Sequence, residues 1–331
     1  YAAATQTVNC AVPGCAHDSD ACPAYFTDDP GCNLVITDDP LRVCHVEDRG
    51  CPVQIYTVDP AAGKAMQEIN GVGNCDIAYC DGTALYGIDK TVLPSEATPA
   101  CRIDLATGQA ETFALEPTEH YLAGFDGALL TRRYVTDAPL PTDAEQYAAA
   151  IQSATVKIDR LDPRTGARTS LTERPYSDAD YEKNGCFIGV YNGKAYFEER
   201  EIMPGSGFRR TVLTAVDAEG RAETVWDPWP QAEWVLGDDG GRYIWLYRDN
   251  YNTSYAACAL LDTETGQITP VTQALQTGSG AVSLRGKAHD GRWLVVIGAD
   301  SVGRTTDYGL IDADQFAAGS TDWQPVAMWQ G

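Results

Sequence analysis

The sequence has few basic residues, few histidines and no long apolar segment. Lysine and arginine number 24 against 47 aspartates and glutamates, which gives a formal net charge of −23. Because contact with nucleic-acid phosphates needs a basic surface, this balance argues against a nucleic-acid partner. No apolar run reaches the ~18 residues that a membrane-spanning helix needs, so the sequence predicts no membrane span.

Signatures of hydrolytic and metal chemistry are also lacking. None of the four histidines lies in the setting of a catalytic triad, and no Gly-x-Ser-x-Gly elbow occurs. Cys10, Cys15, His17 and Cys22 have the residue types of a zinc site, but their spacing matches no common zinc motif. The sequence therefore predicts no metal site, and any acid–base chemistry would use carboxylates.

Cysteine, in contrast, is abundant, with 11 in the chain. Disulfides persist in oxidising compartments, so we expect an extracytoplasmic protein, secreted or anchored at the cell surface. Cys44 and Cys51 flank a predicted turn, where facing positions would come within bonding distance, and they are our disulfide candidate. The odd total leaves at least one thiol or one intermolecular bond. Residues 1–30 are predicted to form an irregular, Cys-rich N-terminal segment.

One short phrase recurs along the rest of the chain: an apolar residue, then Asp, then Gly a few residues later. The Asp side chain accepts hydrogen bonds from amides two residues on, and the Gly supplies the positive φ of a tight turn. A second turn signal of the Asp-Gly, Asn-Gly or Asp-Pro type precedes each copy, with β-rich runs between. The copies are spaced by roughly 45 to 60 residues, a period typical of repeat architectures. Their aspartates are Asp59, Asp104, Asp162, Asp217, Asp262 and Asp312.

Two turn signals per repeat predict four strands, here lettered A to D, and four antiparallel strands repeated radially form a propeller blade. We therefore predict an all-β fold for residues 31–331, a six-bladed β-propeller with four-stranded antiparallel blades. The alternative, a linear β-solenoid, would need shorter rungs and capping ends. A single short helix is predicted at residues 142–152. The predicted blades are 31–70, 72–116, 120–173, 184–226, 232–273 and 281–329.

All six repeats are complete in A-to-D order, which leaves two ways to close the ring. The blades close it by packing alone, or residues 5–8 add an edge strand.

The B–C and D–A loops of a propeller share one face, and in this sequence they are the long loops on which binding usually depends. Arginines follow the predicted B strands of three successive blades, and aromatic residues occupy the D–A connections. Guanidinium groups bind carboxylates bidentately, and aromatic faces pack against sugar rings. The predicted ligand-binding residues are Arg132, Arg133, Arg200 and Arg248 as anion forks, with Tyr121, Trp229 and Trp234 as stacking surfaces.

This pattern predicts an extracytoplasmic ligand-binding propeller for an acidic glycan or a carboxylate-bearing peptide. In a second interpretation the arginines only pair with the neighbouring carboxylates of Glu198, Glu199, Glu201 and Asp249. Two further functions stay open. One is a glycosidase or lyase with a carboxylate pair at the channel mouth. The other is a scaffold that docks a protein on the loop face.

The repeat phrase also resembles known blade motifs. Residues 261–267 (Leu-Asp-Thr-Glu-Thr-Gly-Gln) and 103–109 (Ile-Asp-Leu-Ala-Thr-Gly-Gln) resemble the blades of TolB-like, YVTN-like and quinoprotein-type propellers. The whole chain is similar to secreted or lipid-anchored bacterial propellers of unassigned activity, and this resemblance implies an extracytoplasmic protein with a lipid anchor upstream. Quinoproteins place a Trp soon after the Thr-Gly, which this chain does not, so no cofactor is expected.

Overall fold

The chain forms six separate β-sheets, each with four antiparallel strands in chain order. This confirms the predicted fold class, an all-β six-bladed propeller with four-stranded blades and very few helices. The predicted limits of the N-terminal segment and of the blades stay predictions. The computed structural model describes residues 11–16, 19, 21–23, 25, 32–38, 41–46, 52–80, 83–89, 91–93, 95–176, 187–202, 209–227, 234–237, 242–250, 253–277, 282–288, 290–299 and 306–326.

The chain divides into two compact units, and the N-terminal unit covers residues 8–176 with the first three sheets. The strands of the first sheet are β1 (Cys32–Asp38), β2 (Leu41–Val46), β3 (Val53–Asp59) and β4 (Gly63–Ile69). Those of the second sheet are β5 (Asp76–Cys80), β6 (Ala84–Ile88), β7 (Thr98–Asp104) and β8 (Ala110–Leu115). Those of the third sheet are β9 (His120–Phe125), β10 (Ala128–Val135), β11 (Thr155–Leu161) and β12 (Arg168–Pro175).

The C-terminal unit covers residues 177–331 together with 1–7 and holds the other three sheets. The fourth sheet consists of β13 (Phe187–Tyr191), β14 (Lys194–Ile202), β15 (Arg209–Val216) and β16 (Ala222–Trp226). The fifth consists of β17 (Trp234–Gly237), β18 (Tyr243–Asn250), β19 (Thr253–Asp262) and β20 (Ile268–Pro270). The sixth consists of β21 (Ser283–Lys287), β22 (Trp293–Ala299), β23 (Thr306–Ile311) and β24 (Gln324–Pro325). Residues 5–8, the possible closing strand, lie outside the described residues.

The recurring Asp and Gly build the C–D turn of each sheet as predicted. Asp59, for example, accepts a hydrogen bond from the Ala61 amide at 2.8 Å, and the other five aspartates also accept one from the amide two residues on. The glycines that close the phrases all have positive φ: Gly63, Gly108, Gly166, Gly220, Gly266 and Gly319. In the sixth sheet the phrase caps a helix, because Asp312 is the N-cap of α2 (Ala313–Ala317).

Two of the predicted A–B turns show the backbone that Asp-Gly and Asn-Gly favour. Asp126 and Gly127 have φ of 49° and 70°, and Asn192 and Gly193 have φ of 48° and 71°. Positive φ at both central residues defines a type I′ turn, whose twist matches that of the flanking strands.

Apolar side chains pack between neighbouring sheets of the N-terminal unit. Leu85 and Ile103 of the second sheet join a buried cluster that includes Ile55 of the first sheet. The opposite face of the second sheet contributes Tyr86 to another cluster, which includes Leu129 of the third sheet. The second sheet is therefore apolar on both faces, as a blade between two others must be.

The C-terminal unit packs its fifth and sixth sheets around aromatic rings. Trp245 and Trp293 are fully buried, with ring centroids 5.3 Å apart. Phe316 of α2 lies 5.2 Å from the ring of Trp245 and 5.6 Å from that of Trp293. Such tilted contacts add to the burial of a large apolar area.

The helix predicted in the third blade is α1 (Ala144–Gln152), which confirms that prediction. Asp143 caps it by accepting a hydrogen bond from the Gln146 amide at 3.0 Å. None of its residues is buried, so α1 lies on the surface of the B–C connection. Neither helix in the described part of the chain has the length and apolar character needed to cross a membrane.

The predicted disulfide is not tested by the structure. Cys44 lies buried in β2, whereas Cys51 falls outside the described residues. No disulfide joins two cysteines within the ranges that the structure describes.

We predict that Gly309→Ala destabilises the protein by about 1–3 kcal/mol through overpacking. A Cβ atom at this position of β23 would lie 2.9 Å from Cβ of Trp323 and 3.1 Å from Cγ2 of Ile297. Because Trp323 Cβ is bonded directly to the backbone, a rotamer change cannot relieve the contact. Urea unfolding measures the loss, and Thr306→Ala on the same strand is the control. A variant as stable as the wild type would contradict this packing.

We predict that Asp262→Asn destabilises the protein by about 2 kcal/mol at neutral pH, because charge-assisted hydrogen bonds are lost. Arg242 donates to both carboxylate oxygens of Asp262, at 2.8 and 2.5 Å, and holds its pKa well below the usual range. A lowered folded-state pKa stabilises the protein above the unfolded pKa of about 4, and this contribution is lost as pH falls further. The stability gap between wild type and variant should therefore shrink below about pH 4. A gap that is constant with pH would contradict the ion pair.

Candidate functional site

A cleft of about 420 Å³ lies between the second and third sheets of the N-terminal unit. Strands β6, β7, β11 and β12 contribute to it, together with the A–B and C–D turns of the third sheet. Antiparallel strands alternate in direction, so the A–B and C–D turns lie at one end of the strands and the B–C and D–A loops at the other. We call it the arginine cleft. Its polar lining consists of Thr83, Tyr86, Arg102, Arg160, Asp162, Arg164 and Thr169.

Arg102 is the most firmly held of the three arginines. It lies in β7 opposite Tyr86 of β6, its side chain is only 6% exposed, and it pairs with Asp104 at 3.3 Å. Burial disfavours the charged guanidinium, but hydrogen bonds with Tyr86 and Asp104 outweigh this effect and raise its pKa. Arg102 therefore brings a fixed positive charge to the wall of the cleft.

Arg160 has an unused hydrogen-bond donor. Its terminal NH2 group donates to the Asp126 carbonyl at 2.7 Å and pairs with the Asp126 carboxylate at 3.0 Å. Its Nε is buried and has no hydrogen-bond partner among the described residues. A buried donor without an acceptor is costly to the folded state.

Arg164 and Asp162 belong to the C–D turn. Arg164 is exposed, and its amide donates to the Asp162 carboxylate at 2.8 Å. This bond, with a second one from the Thr165 hydroxyl, lowers the pKa of Asp162. Three guanidinium groups thus share the cleft with one ionised carboxylate. Such a lining has the charge and the donors that suit an anionic ligand.

The residues predicted from the sequence lie elsewhere, mostly inside strands. Arg132 and Arg133 are in β10, Arg200 in β14 and Arg248 in β18, whereas the sequence placed them just after these strands. The strands are longer than predicted, because the pairing between the second and third strands of each sheet includes these arginines. The pairs are Arg132 with Ile158, Arg200 with Thr211 and Arg248 with Ala256. Trp234 begins β17 directly opposite Arg248, Tyr121 is in β9, and Trp229 lies outside the described residues.

The side chain of Arg133 is already engaged by carboxylates. Its Nε donates to Asp159 Oδ2 at 2.6 Å, and its NH1 group donates to Glu116 Oε2 at 2.6 Å. Asp159 lies on the neighbouring strand β11 and is fully buried, while Glu116 follows β8 of the second sheet. Pairing with carboxylates near in sequence was the alternative predicted for the arginines of the loop face. For Arg133 the acidic partners come from other strands.

Glu119 joins a second buried ion pair in the same region. Its side chain is fully buried and accepts hydrogen bonds from Arg168 at 2.7 Å and from the Thr131 hydroxyl at 2.7 Å. Burial opposes ionisation, but these bonds and one from the Glu116 amide prevail and lower the pKa of Glu119. A general acid needs a raised pKa and access to substrate, so this carboxylate acts as a structural anchor.

Arg132 and Tyr121 both pack against tyrosine rings. Arg132 is 4% exposed, and its guanidinium lies 5.2 Å from the ring centre of Tyr134. The ring of Tyr121 lies 5.3 Å from that of Tyr79 in the second sheet. Both side chains therefore contribute to packing, and their predicted role in ligand binding stays a prediction.

We predict that Arg168→Ala destabilises the protein by about 3–5 kcal/mol, because it leaves the buried Glu119 carboxylate without its cation. The double variant with Glu119→Gln should recover part of this loss, since the isolated charge is then removed. Lys157→Ala is the control: Lys157 pairs at 3.0 Å with Glu173, which is 64% exposed, and such pairs contribute ~1 kcal/mol or less. Urea unfolding of the wild type, of the single variants Arg168→Ala and Glu119→Gln and of their double variant gives the coupling energy. Equal losses for Arg168→Ala and Lys157→Ala would contradict the buried pair.

The arginines of the cleft were not found from the sequence. They are far apart in the chain, and the packing of two sheets brings them together. One local signal does exist, because Arg102 and Arg160 each stand two residues before the recurring Asp. No other copy of the phrase has an arginine at that position.

Comparison with solved structures supports the class that this architecture defines, a six-bladed propeller. The chain is similar to the β-propeller domain of the Trilobed protease from Pyrococcus furiosus, with a TM-score of 0.50 and 12% identity over 87% of this chain and 81% of that one. At this identity the likeness concerns the fold alone. No protein-family description and no curated protein sequence matches the chain.

Two enzymes are also similar to the chain at a lower TM-score. Pyrococcus horikoshii acylaminoacyl peptidase has a TM-score of 0.47 and 12% identity, over 86% of this chain and 42% of that one. An oligogalacturonate lyase in complex with manganese has a TM-score of 0.46 and 14% identity, over 83% of this chain and 72% of that one. The chain thus spans about four tenths of the peptidase it matches.

Proposed function

We propose that this chain is an extracytoplasmic propeller that binds an acidic ligand, a glycan or peptide with a carboxylate, in the arginine cleft. The observation that carries the proposal is the convergence of Arg102, Arg160 and Arg164 on one cleft of a protein with a net charge of −23. A local cationic site on an acidic protein favours a small anion and disfavours polyanions, which the rest of the surface repels.

The three arginines have different parts in this function. Arg102 is fixed by Asp104 and supplies a positive potential at the wall. The Arg160 side chain is 37% exposed, and its guanidinium group would bind a carboxylate oxygen. Arg164 is exposed at the rim and selects anions through its charge. The hydroxyls of Thr83 and Thr169 add neutral donors that suit the remaining oxygens of a sugar or a peptide.

The high cysteine content supports the extracytoplasmic setting of the proposal. An enzyme with a carboxylate pair finds less support in the described part of the chain. Glu119 and Asp159, for example, are buried and paired with arginines, so neither carboxylate is open to a substrate.

We predict that Arg160→Ala weakens binding of the acidic ligand about 10- to 100-fold, the equivalent of the ~1.5–3 kcal/mol of a hydrogen bond to a charged group. An array of acidic glycans and peptides with free carboxyl termini, probed with the full chain, identifies the ligand, and calorimetric titration then measures affinity. Arg221→Ala is the matched control. Arg221 is exposed near the C–D turn of the fourth sheet and pairs with Asp217, so its loss removes the same charge away from the cleft.

A third variant, Arg200→Ala, distinguishes ligand binding in the cleft from ligand binding at the loop face that the sequence predicted. Reduced affinity with Arg160→Ala and unchanged affinity with Arg200→Ala supports the cleft. The reverse result assigns the ligand to the loop face, and absence of binding to every acidic probe overturns the proposed function.

A further inference from the structure

Two cysteine side chains meet above a glycine in the second sheet. Gly87 lies in β6, with Ile77 of β5 on one side and Cys101 of β7 on the other. A Cβ atom built at Gly87 would lie 2.9 Å from Cys101 Sγ and 3.0 Å from Cys75 Cβ. The space that a side chain at Gly87 would fill is thus occupied from both sides by the two cysteines, one just before β5 and one within β7.

The two cysteines lie in the apolar interior. Cys75 and Cys101 are 5% and 0% exposed and belong to one buried cluster of the N-terminal unit. Hydrogen bonding with Cys75 and burial raise the pKa of the Cys101 thiol, whereas hydrogen bonding with Cys101 lowers the pKa of Cys75 against the opposing effect of burial. Cys75 Sγ also lies 3.9 Å from the Pro99 carbonyl oxygen, two residues before Cys101. Both cysteine side chains therefore lie against the same face of Gly87.

We propose that Cys75 and Cys101 form a disulfide during folding, which ties the start of the first strand of the second sheet to its third strand across Gly87. This bond is independent of the arginine cleft and of its ligand. It would link positions far apart in the chain, so it would remove conformational freedom mainly from the unfolded state. Once buried, it would be shielded from soluble thiols.

The oxidant is a small disulfide such as oxidised glutathione. The Cys75 thiolate attacks one of its sulfurs, which forms a mixed disulfide and releases one glutathione thiolate. The Cys101 thiolate then attacks Cys75 Sγ, which closes the protein disulfide and releases the second glutathione thiolate. The two cysteines lose two protons and two electrons, and one oxidised glutathione becomes two reduced ones. Both steps precede the packing of the sheets, because the two sulfurs are buried in the folded unit.

Peptide mapping of the full chain tests the bond. The protein is refolded in a buffer of reduced and oxidised glutathione, alkylated, and digested without reduction by a protease that cuts before Asp. Cleavage at Asp76 separates Cys75 from Cys80, so residues 59–75 should be found linked to residues 89–103. The linked pair should weigh two hydrogens less than its two free peptides. Alkylated thiols at both Cys75 and Cys101, or a link of Cys101 to residues 39–47 with Cys44, would overturn the proposal.

Thermal unfolding with and without a reductant gives a second readout. Reduction should lower the Tm of the wild type by about 5–10 °C, as expected for loss of a disulfide in a chain segment of this size. Cys75→Ala and Cys101→Ala should each remove this sensitivity, whereas the control Cys44→Ala, from the same buried cluster, should keep it. A Cys75→Ala variant that remains as sensitive as the wild type would contradict the bond. Should the alanine variants fail to fold, the peptide map of the wild type still decides.

Discussion

The burial of apolar side chains between successive sheets is the constraint on which the rest of the structure depends. No single sheet is stable in water, because each one exposes an apolar face that only a neighbour can cover. In the N-terminal unit both faces of the second sheet are covered by a neighbour, since Ile103 packs towards the first sheet and Tyr86 towards the third. In the C-terminal unit Trp245 and Trp293 do the same for the fifth and sixth sheets.

This packing also determines where polar chemistry is possible. Between the second and third sheets the apolar contacts end near the C–D turns, and there the walls become arginine, threonine and aspartate. Further inside the same unit, Arg168 and Glu119 form a compensated ion pair. The cleft and the interior differ because only the cleft is open to solvent. A buried charge must be paired, whereas a charged group near the turns remains open to a ligand.

The sequence predicted what depends on local backbone chemistry. Asp104 and Gly108 specify a turn by themselves, and Asp126 with Gly127 specify a hairpin, so the fold class and the four-stranded pattern followed from such pairs. It predicted poorly what depends on contacts between distant strands. Arg133 was assigned to ligand binding, whereas it pairs with Asp159 on the neighbouring strand of its own sheet and with Glu116, which follows the last strand of the second sheet. The cleft arginines were missed for the same reason.

The B–C connection of the third sheet has an evolutionary consequence. Val135 and Thr155 face each other as the last pair between β10 and β11, so the chain leaves the ladder and returns to it at one point. Everything between them, including α1 with its wholly unburied surface, is added without disturbing the register of the blade. Lengthening such an excursion costs little entropy, since closure depends only on the logarithm of loop length. This position is therefore one where new segments can be acquired and exchanged between relatives while the blade itself is retained.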